Sequence, residues 1–120
     1  LFTVSGGRIL LTSIVGLVTV AIQPQANNTK LQSVPTVGTA VDLCVTADIT
    51  GRESGSMLTL TSVFTSALQV ANAGGAATQL AAIVIPPGVV ALSCNAGSAG
   101  QMSWVATYVP LDTGASVAAA

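Results

Sequence analysis

The chain has 120 residues, 51% of them hydrophobic and 6% charged, with no histidine. A globular chain is ordinarily about a quarter charged; this one carries three basic and four acidic side chains, Arg8, Lys30 and Arg52 against Asp42, Asp48, Glu53 and Asp112. Without imidazole, Ser-His-Asp and Cys-His catalysis and histidine metal sites are excluded, three scattered cations cannot neutralise a phosphate backbone, and the apolar composition rules out disorder.

The chain opens on Leu1 rather than Met, so a further residue or segment is expected before it. Leu1–Ser5 is a first short strand, ended by the Gly6-Gly7 turn. Ile9–Ile22 is the most lipid-like run, but it is interrupted by Thr12, Ser13, Gly16 and Thr19, and a membrane-spanning helix needs about 20 mostly apolar residues. Its length and the preceding Arg8 fit a signal-peptide core, yet the A-x-A style exit is lacking. Its Ile, Val and Thr side chains favour a pleated strand, so Arg8–Ile22 is expected to be a buried strand, or a strand pair bent at Gly16. No membrane contact is expected.

Pro24–Thr29 is a loop. Lys30–Pro35 is a short edge strand, because Pro35 cannot donate to a ladder. Val37–Thr50 alternates Val41, Leu43 and Val45 against Asp42, Cys44, Thr46 and Asp48, the pattern of a half-exposed antiparallel strand. Gly51–Ser56 is a polar turn, and Met57–Val63 is a strand. Thr65–Gln79 has no clear period, and Leu68–Val70 fits either a strand or one helical turn. Leu80–Ile85 and Val89–Cys94 are expected to pair across the Pro86-Pro87-Gly88 turn. After the Asn95–Gly100 loop, Gln101–Val109 forms the last strand, and residues 112–120 an extended C-terminal tail. The whole predicts one all-β domain over residues 1–120, an antiparallel β-sandwich or jelly-roll-like barrel of about eight short strands with extended termini.

Chemistry has few places to reside. Asp42 and Asp48 would lie about 20 Å apart along one strand, beyond the roughly 5 to 9.5 Å needed between glycosidase carboxyls. Asp48 and Glu53 could meet across the polar turn, where solvated charges beside Arg52 are the plainer reading; they do not make a calcium loop. The Gly-rich pieces lack the Lys-Ser/Thr ending of a phosphate loop. Cys44 and Cys94 are expected as free packing thiols, with a cross-strand disulfide the alternative. Asn27-Asn28-Thr29 matches a glycosylation acceptor by chance. Trp104 and Tyr108 share a face with Met102 and Ala106, as part of the core, a subunit interface or a sugar-stacking platform. No catalytic, cofactor-binding or metal-binding residue is assigned, and no enzyme activity or cofactor is expected.

Both faces of Arg8–Ile22 are apolar, with Leu10, Ile14, Val18, Val20 and Ile22 on one and Ile9, Leu11, Val15 and Leu17 on the other. A sandwich strand normally wets one face. No helix is predicted to cover the second, so another copy of the chain is expected to do so, as a symmetric homo-oligomer, a trimer or a dimer.

Four stretches carry a resemblance. Ser5–Thr12, Gln25–Leu31, Val41–Cys44 and the closing Gly100–Trp104 with Tyr108–Leu111 resemble the small accessory head proteins of tailed bacteriophages, the capsid decoration or cement proteins. The resemblance implies a non-enzymatic, oligomeric β-protein on the outer surface of the virion head, with the major capsid protein as its partner. Alternatives from other classes are a receptor- or glycan-binding head fibre or spike domain, and a pilin or surface-layer module, for which the single Lys30 is a poor isopeptide candidate. The extended termini are expected to add strands to a neighbouring sheet edge.

Overall fold

In the computed structural model, which describes all 120 residues, every regular element is a strand. In chain order they are β1 (Phe2–Ser5), β2 (Ile9–Val20), β3 (Asn28–Pro35), β4 (Val41–Asp42), β5 (Ala47–Asp48), β6 (Met57–Thr59), β7 (Gln69–Ala71), β8 (Ile83–Ile85), β9 (Gly88–Cys94), β10 (Gln101–Pro110) and β11 (Ser116–Ala119). They build two antiparallel sheets, consistent with the expected β-sandwich. Sheet I runs β11-β1-β9-β3-β4, with β5 also paired to β3; sheet II runs β10-β2-β6-β7, with β8 also paired to β2. The strands outnumber the expected eight because several are pieces of two or three residues.

The two apolar faces of β2 resolve through a change of phase. Against β10, Tyr108 faces Leu11 while Thr107 faces Ser13, so Thr12 is an extra residue on β2. Such a bulge reverses the in-out alternation. Ile9 and Leu11 before it, and Ile14 and Val18 after it, therefore all point inward and are 2% exposed or less. The kink falls at Thr12–Ser13 rather than at Gly16. Gly16 serves a close approach instead: a Cβ there would lie 2.7 Å from the Trp104 ring. Outward, β2 keeps Leu10, Val15 and Leu17.

Other expectations are corrected. Lys30–Pro35 is not at an edge, since β3 lies between β9 and the short β4 and β5, and Pro35 merely ends it opposite Gly88. Val37–Thr50 is not one strand. The chain turns at Leu43–Cys44, where the Leu43 N–H donates to Leu31 O and both side chains are buried, while Val41 and Val45 are exposed. Leu80–Ile85 and Val89–Cys94 do not form a hairpin. The surviving strand β8 pairs with β2 in sheet II, whereas β9 pairs with β1 and β3 in sheet I. Two consecutive prolines hold an extended link, and here the link carries the chain from one sheet to the other. Gly88 follows at φ 150°, and a Cβ there would sit 2.3 Å from Val34 O.

Residues 112–120 are not extended throughout: the chain turns at Asp112–Ala115, where the Ala115 N–H donates to Asp112 O, and only β11 is strand, hydrogen-bonded to β1 along Phe2–Ser5. The two termini pair with each other. The core lies between the sheets, with Val4, Leu31 and Val90 from sheet I and Ile9, Leu11, Ile14, Leu58, Ile83 and Ile85 from sheet II. Burying each such side chain contributes roughly 1.5–3 kcal/mol.

One seam needed a polar device. Along the same side of β2, β8 pairs with Ile9–Leu11 and β6 with Val15–Leu17. Near this break the Gln79 side chain is buried, and its Nε2 donates to Leu11 O at 2.8 Å and to Ala81 O at 3.0 Å.

Candidate functional site

Three of the four carboxylates, those of Asp42, Asp48 and Asp112, are committed to the scaffold. Asp112 accepts from the Arg8 N–H at 2.7 Å and from the Arg8 guanidinium Nε and Nη2 at 3.0 Å each. The Arg8 guanidinium holds the Asp112 carboxyl at about 2. Asp42 bridges Lys30 Nζ at 2.8 Å and Gln32 Nε2 at 2.6 Å, Lys30 first holding its pKa below the ordinary value. Asp48 caps its own turn: the N–H groups of Asn27 and Thr50 donate to it at 3.0 Å each, and the Thr50 hydroxyl donates as well. These bonds, the Asn27 N–H foremost, lower its pKa. The structure thus places Asp42 and Asp48 at opposite ends of the β3 ladder, facing Gln32 and Asn28, and Asp48 serves the turn rather than Glu53. No cluster of three His, Cys, Asp or Glu side chains suited to a metal is present.

The thiols are both free, Cys44 buried and Cys94 exposed. Burial pushes the Cys44 thiol up, and its Sγ accepts the Leu31 N–H at 3.4 Å. Asn27, the first residue of the glycosylation-like triplet, is buried, and its amide donates to Ser98 Oγ at 3.2 Å.

Concavities are small. A cleft of about 230 Å³ opens at one end of the sandwich between Ile22, Asn27, Ile49, Cys94 and Met102. The largest hollow, about 410 Å³, lies beside β7 and is walled by Thr59, Gln69, Val70 and small residues without a charged group. Ligand pockets are typically 300–1,000 Å³ with convergent polar groups. Neither hollow combines adequate size with such groups.

The conspicuous feature is instead the outward side of sheet II. Val105 lies opposite Val15, Val109 opposite Leu10, and Leu10 in turn opposite Val84. This apolar band crosses three adjacent strands. Val105 is 62% exposed, Val84 53%, Val109 49% and Leu17 40%. No charged residue occurs on β2, β8 or β10; a hydroxyl cluster at the bulge, Thr12 and Ser13 both bonded to Thr107, supplies the polarity there. Large contiguous apolar patches on protein surfaces mark interaction sites, which makes this face the candidate site.

This band ends at a free edge. β10 is ten residues long, pairs with β2 alone, and has no buried residue. Trp104 and Tyr108 belong to its inward face together with Met102 and Ala106, all packed against the core. That grouping was legible in the sequence. Both aromatics turn toward the core and are half-buried there. What sequence reasoning missed is the free edge itself, because a strand's place in a sheet is set by topology; the absence of charge from Ser54 to Leu111 was the available signal.

No family model, no curated protein and no solved structure matches the chain.

Proposed function

We propose that the protein is a non-enzymatic structural module that works as a homo-oligomer on a larger protein assembly, as a decoration or cement protein on the outside of an assembled tailed-phage head. The observation that carries this reading is the uncharged apolar band of sheet II, which ends at the open edge of β10. A monomer of this size gains nothing from leaving such a surface wet, whereas obligate interfaces are built from it. The phage-head resemblance of Ser5–Thr12 and the Gly100–Trp104 and Tyr108–Leu111 stretches supports the choice of assembly.

Such a protein acts thermodynamically. Binding the assembled shell and not its dissociated subunits stabilises the shell by the ligand's differential affinity. Many modest contacts then resist internal pressure together. The sandwich contributes a scaffold whose three aspartates are tied to structural partners and whose exterior has little charge to repel a neighbouring subunit.

The test is co-sedimentation of the purified protein with expanded and with unexpanded heads of the phage that encodes it. Saturable binding to expanded heads, with a raised temperature of head disruption, supports the reading. Absence of binding to both forms contradicts it.

A further inference from the structure

We infer that two copies of this chain join by antiparallel pairing of their β10 strands, edge to edge, so that two sheets II become one continuous sheet across a two-fold axis. The inference deepens the oligomeric part of the proposed function and rests on it; it selects a dimer over a trimer and names the contact.

The backbone supplies the first argument. The Leu111 N–H donates to Arg8 O at 3.0 Å, which fixes the phase of the ladder. In an antiparallel pair, hydrogen-bonded and non-hydrogen-bonded positions alternate. The extra residues at both register shifts, Thr12 and Thr19, lie on β2, so β10 keeps a regular alternation. Val109, Thr107, Val105 and Ser103 therefore turn their N–H and C=O groups toward β2. Those of Met102, Trp104, Ala106 and Tyr108 point to the open side.

Registration is the second. Pairing β10 with itself about Val105 sets Trp104 against the partner copy's position 106 and Met102 against its position 108, each twice by symmetry. All four residues whose N–H and C=O groups point to the open side are then hydrogen-bonded at once. Shifting the centre to Ala106 would place Met102 against Pro110, which has no N–H to give, and shifting it to Trp104 would stack two indoles on the axis. Centred on Val105, the large Trp104 instead meets a small alanine on the inward face, and the outward apolar band continues from one copy into the next.

The third argument is what the edge lacks. Natural edge strands are blunted by charge, by shortness or by cover. Elsewhere this protein follows that rule: β4 and β5 are two residues each and carry Asp42 and Asp48, β7 is three and β11 four. β10 alone is long, bare and uncharged. Its ten residues extend about 34 Å at about 3.4 Å per residue, long enough for all four residues with open-side N–H and C=O groups to pair.

Val105 on the axis gives a direct test. Opposed Cα atoms at a non-hydrogen-bonded position are about 4.5 Å apart, within disulfide reach. Val105→Cys, in a Cys94→Ser background that leaves only buried Cys44, should form an intermolecular disulfide under mild oxidation. Ser103→Cys in the same background should not, because its symmetry mate lies about 14 Å away along the strand. Val105→Lys, at an exposed position, should weaken self-association by about tenfold or more through like charges on the axis, with the far-ultraviolet circular dichroism unchanged. If light scattering finds an oligomer while Val105→Cys stays unlinked, or finds a trimer, the edge pairing is overturned and the oligomeric reading survives. If the chain is monomeric at all concentrations, both fall. Head binding is scored separately.

Discussion

The two sheets share one core and differ in the charge and in the edges they show to solvent. The outer side of sheet I carries Thr3, Ser5, Asn28, Lys30, Gln32 and Ser93 beside one exposed apolar pair, Val34 opposite Val89, with Lys30 and Gln32 both clasping Asp42, and its edges are short. The outer side of sheet II carries Leu10, Val15, Leu17, Val84, Val105 and Val109, and it ends on a ten-residue open strand. The same inward chemistry has thus been given one finished exterior and one unfinished one. The difference teaches that the low charge of the chain is not spread evenly; it is concentrated on the face proposed as the interface.

That comparison can be broken first at its shared part. Leu31 in sheet I and Leu58 in sheet II are both 0% exposed. Leu31→Ala and Leu58→Ala should each cost about 2–5 kcal/mol in urea unfolding, because the sheets are equal inside. A marked insensitivity of one would show that only the other sheet forms the core.

Next in size is the seam of sheet II. Gln79→Ala removes the buried amide that donates to Leu11 O and should cost about 1–3 kcal/mol, read by thermal or denaturant unfolding. No loss would mean that the gap between β6 and β8 closes without it.

The outer faces are compared by charge. Val105→Lys on sheet II and Val34→Lys on sheet I sit at positions 62% and 40% exposed, and each should change stability by no more than about 0.5 kcal/mol. Association should separate them: the sheet II variant loses it and the sheet I variant keeps it, as followed by gel filtration over a concentration series. Equal behaviour of the two would erase the distinction between the faces.

The smallest effect belongs to the Arg8–Asp112 pair, which joins the β1–β2 turn to the chain before β11. The Asp112 carboxyl stands at about 2, below the ordinary value of about 3.9. A carboxyl depressed by folding adds stability that is complete above the unfolded value and is lost as pH falls through the folded one. Melting temperature should therefore drop between about pH 4 and about pH 2, and Asp112→Asn should flatten part of that drop. The pair is solvent-exposed, with side chains 60% and 36% accessible, so added salt should shrink the difference.

Much of the fold was legible where one physical signal acted alone. Gln101–Val109 alternates cleanly, and its face of Met102, Trp104, Ala106 and Tyr108 is the inward face of β10. Branched residues marked β2, and the turn at Gly51–Ser56 separates β5 from β6. The failures share a cause, which is that the deciding interaction lay elsewhere in the sequence. The Thr12 bulge carries no glycine or proline, so the run at Ile9–Ile22 looked two-faced when its phase merely changed. Pro86-Pro87-Gly88 has the composition of a turn, and only the partners of β8 and β9 reveal it as a crossing between sheets. Leu43 and Cys44 are adjacent and both buried because the backbone turns there, a thing alternation cannot express. The candidate surface was half legible: the scarcity of charge was plain, its location was not, since an edge is a property of the assembled sheet.

Sedimentation equilibrium of the unmodified protein across a micromolar concentration range tests the central claim most directly. The expected result is a monomer–dimer equilibrium with a limiting mass twice that of the chain, weakened about tenfold or more by Val105→Lys and untouched by Val34→Lys. A single-chain mass throughout, with both variants indistinguishable from the parent, would contradict it.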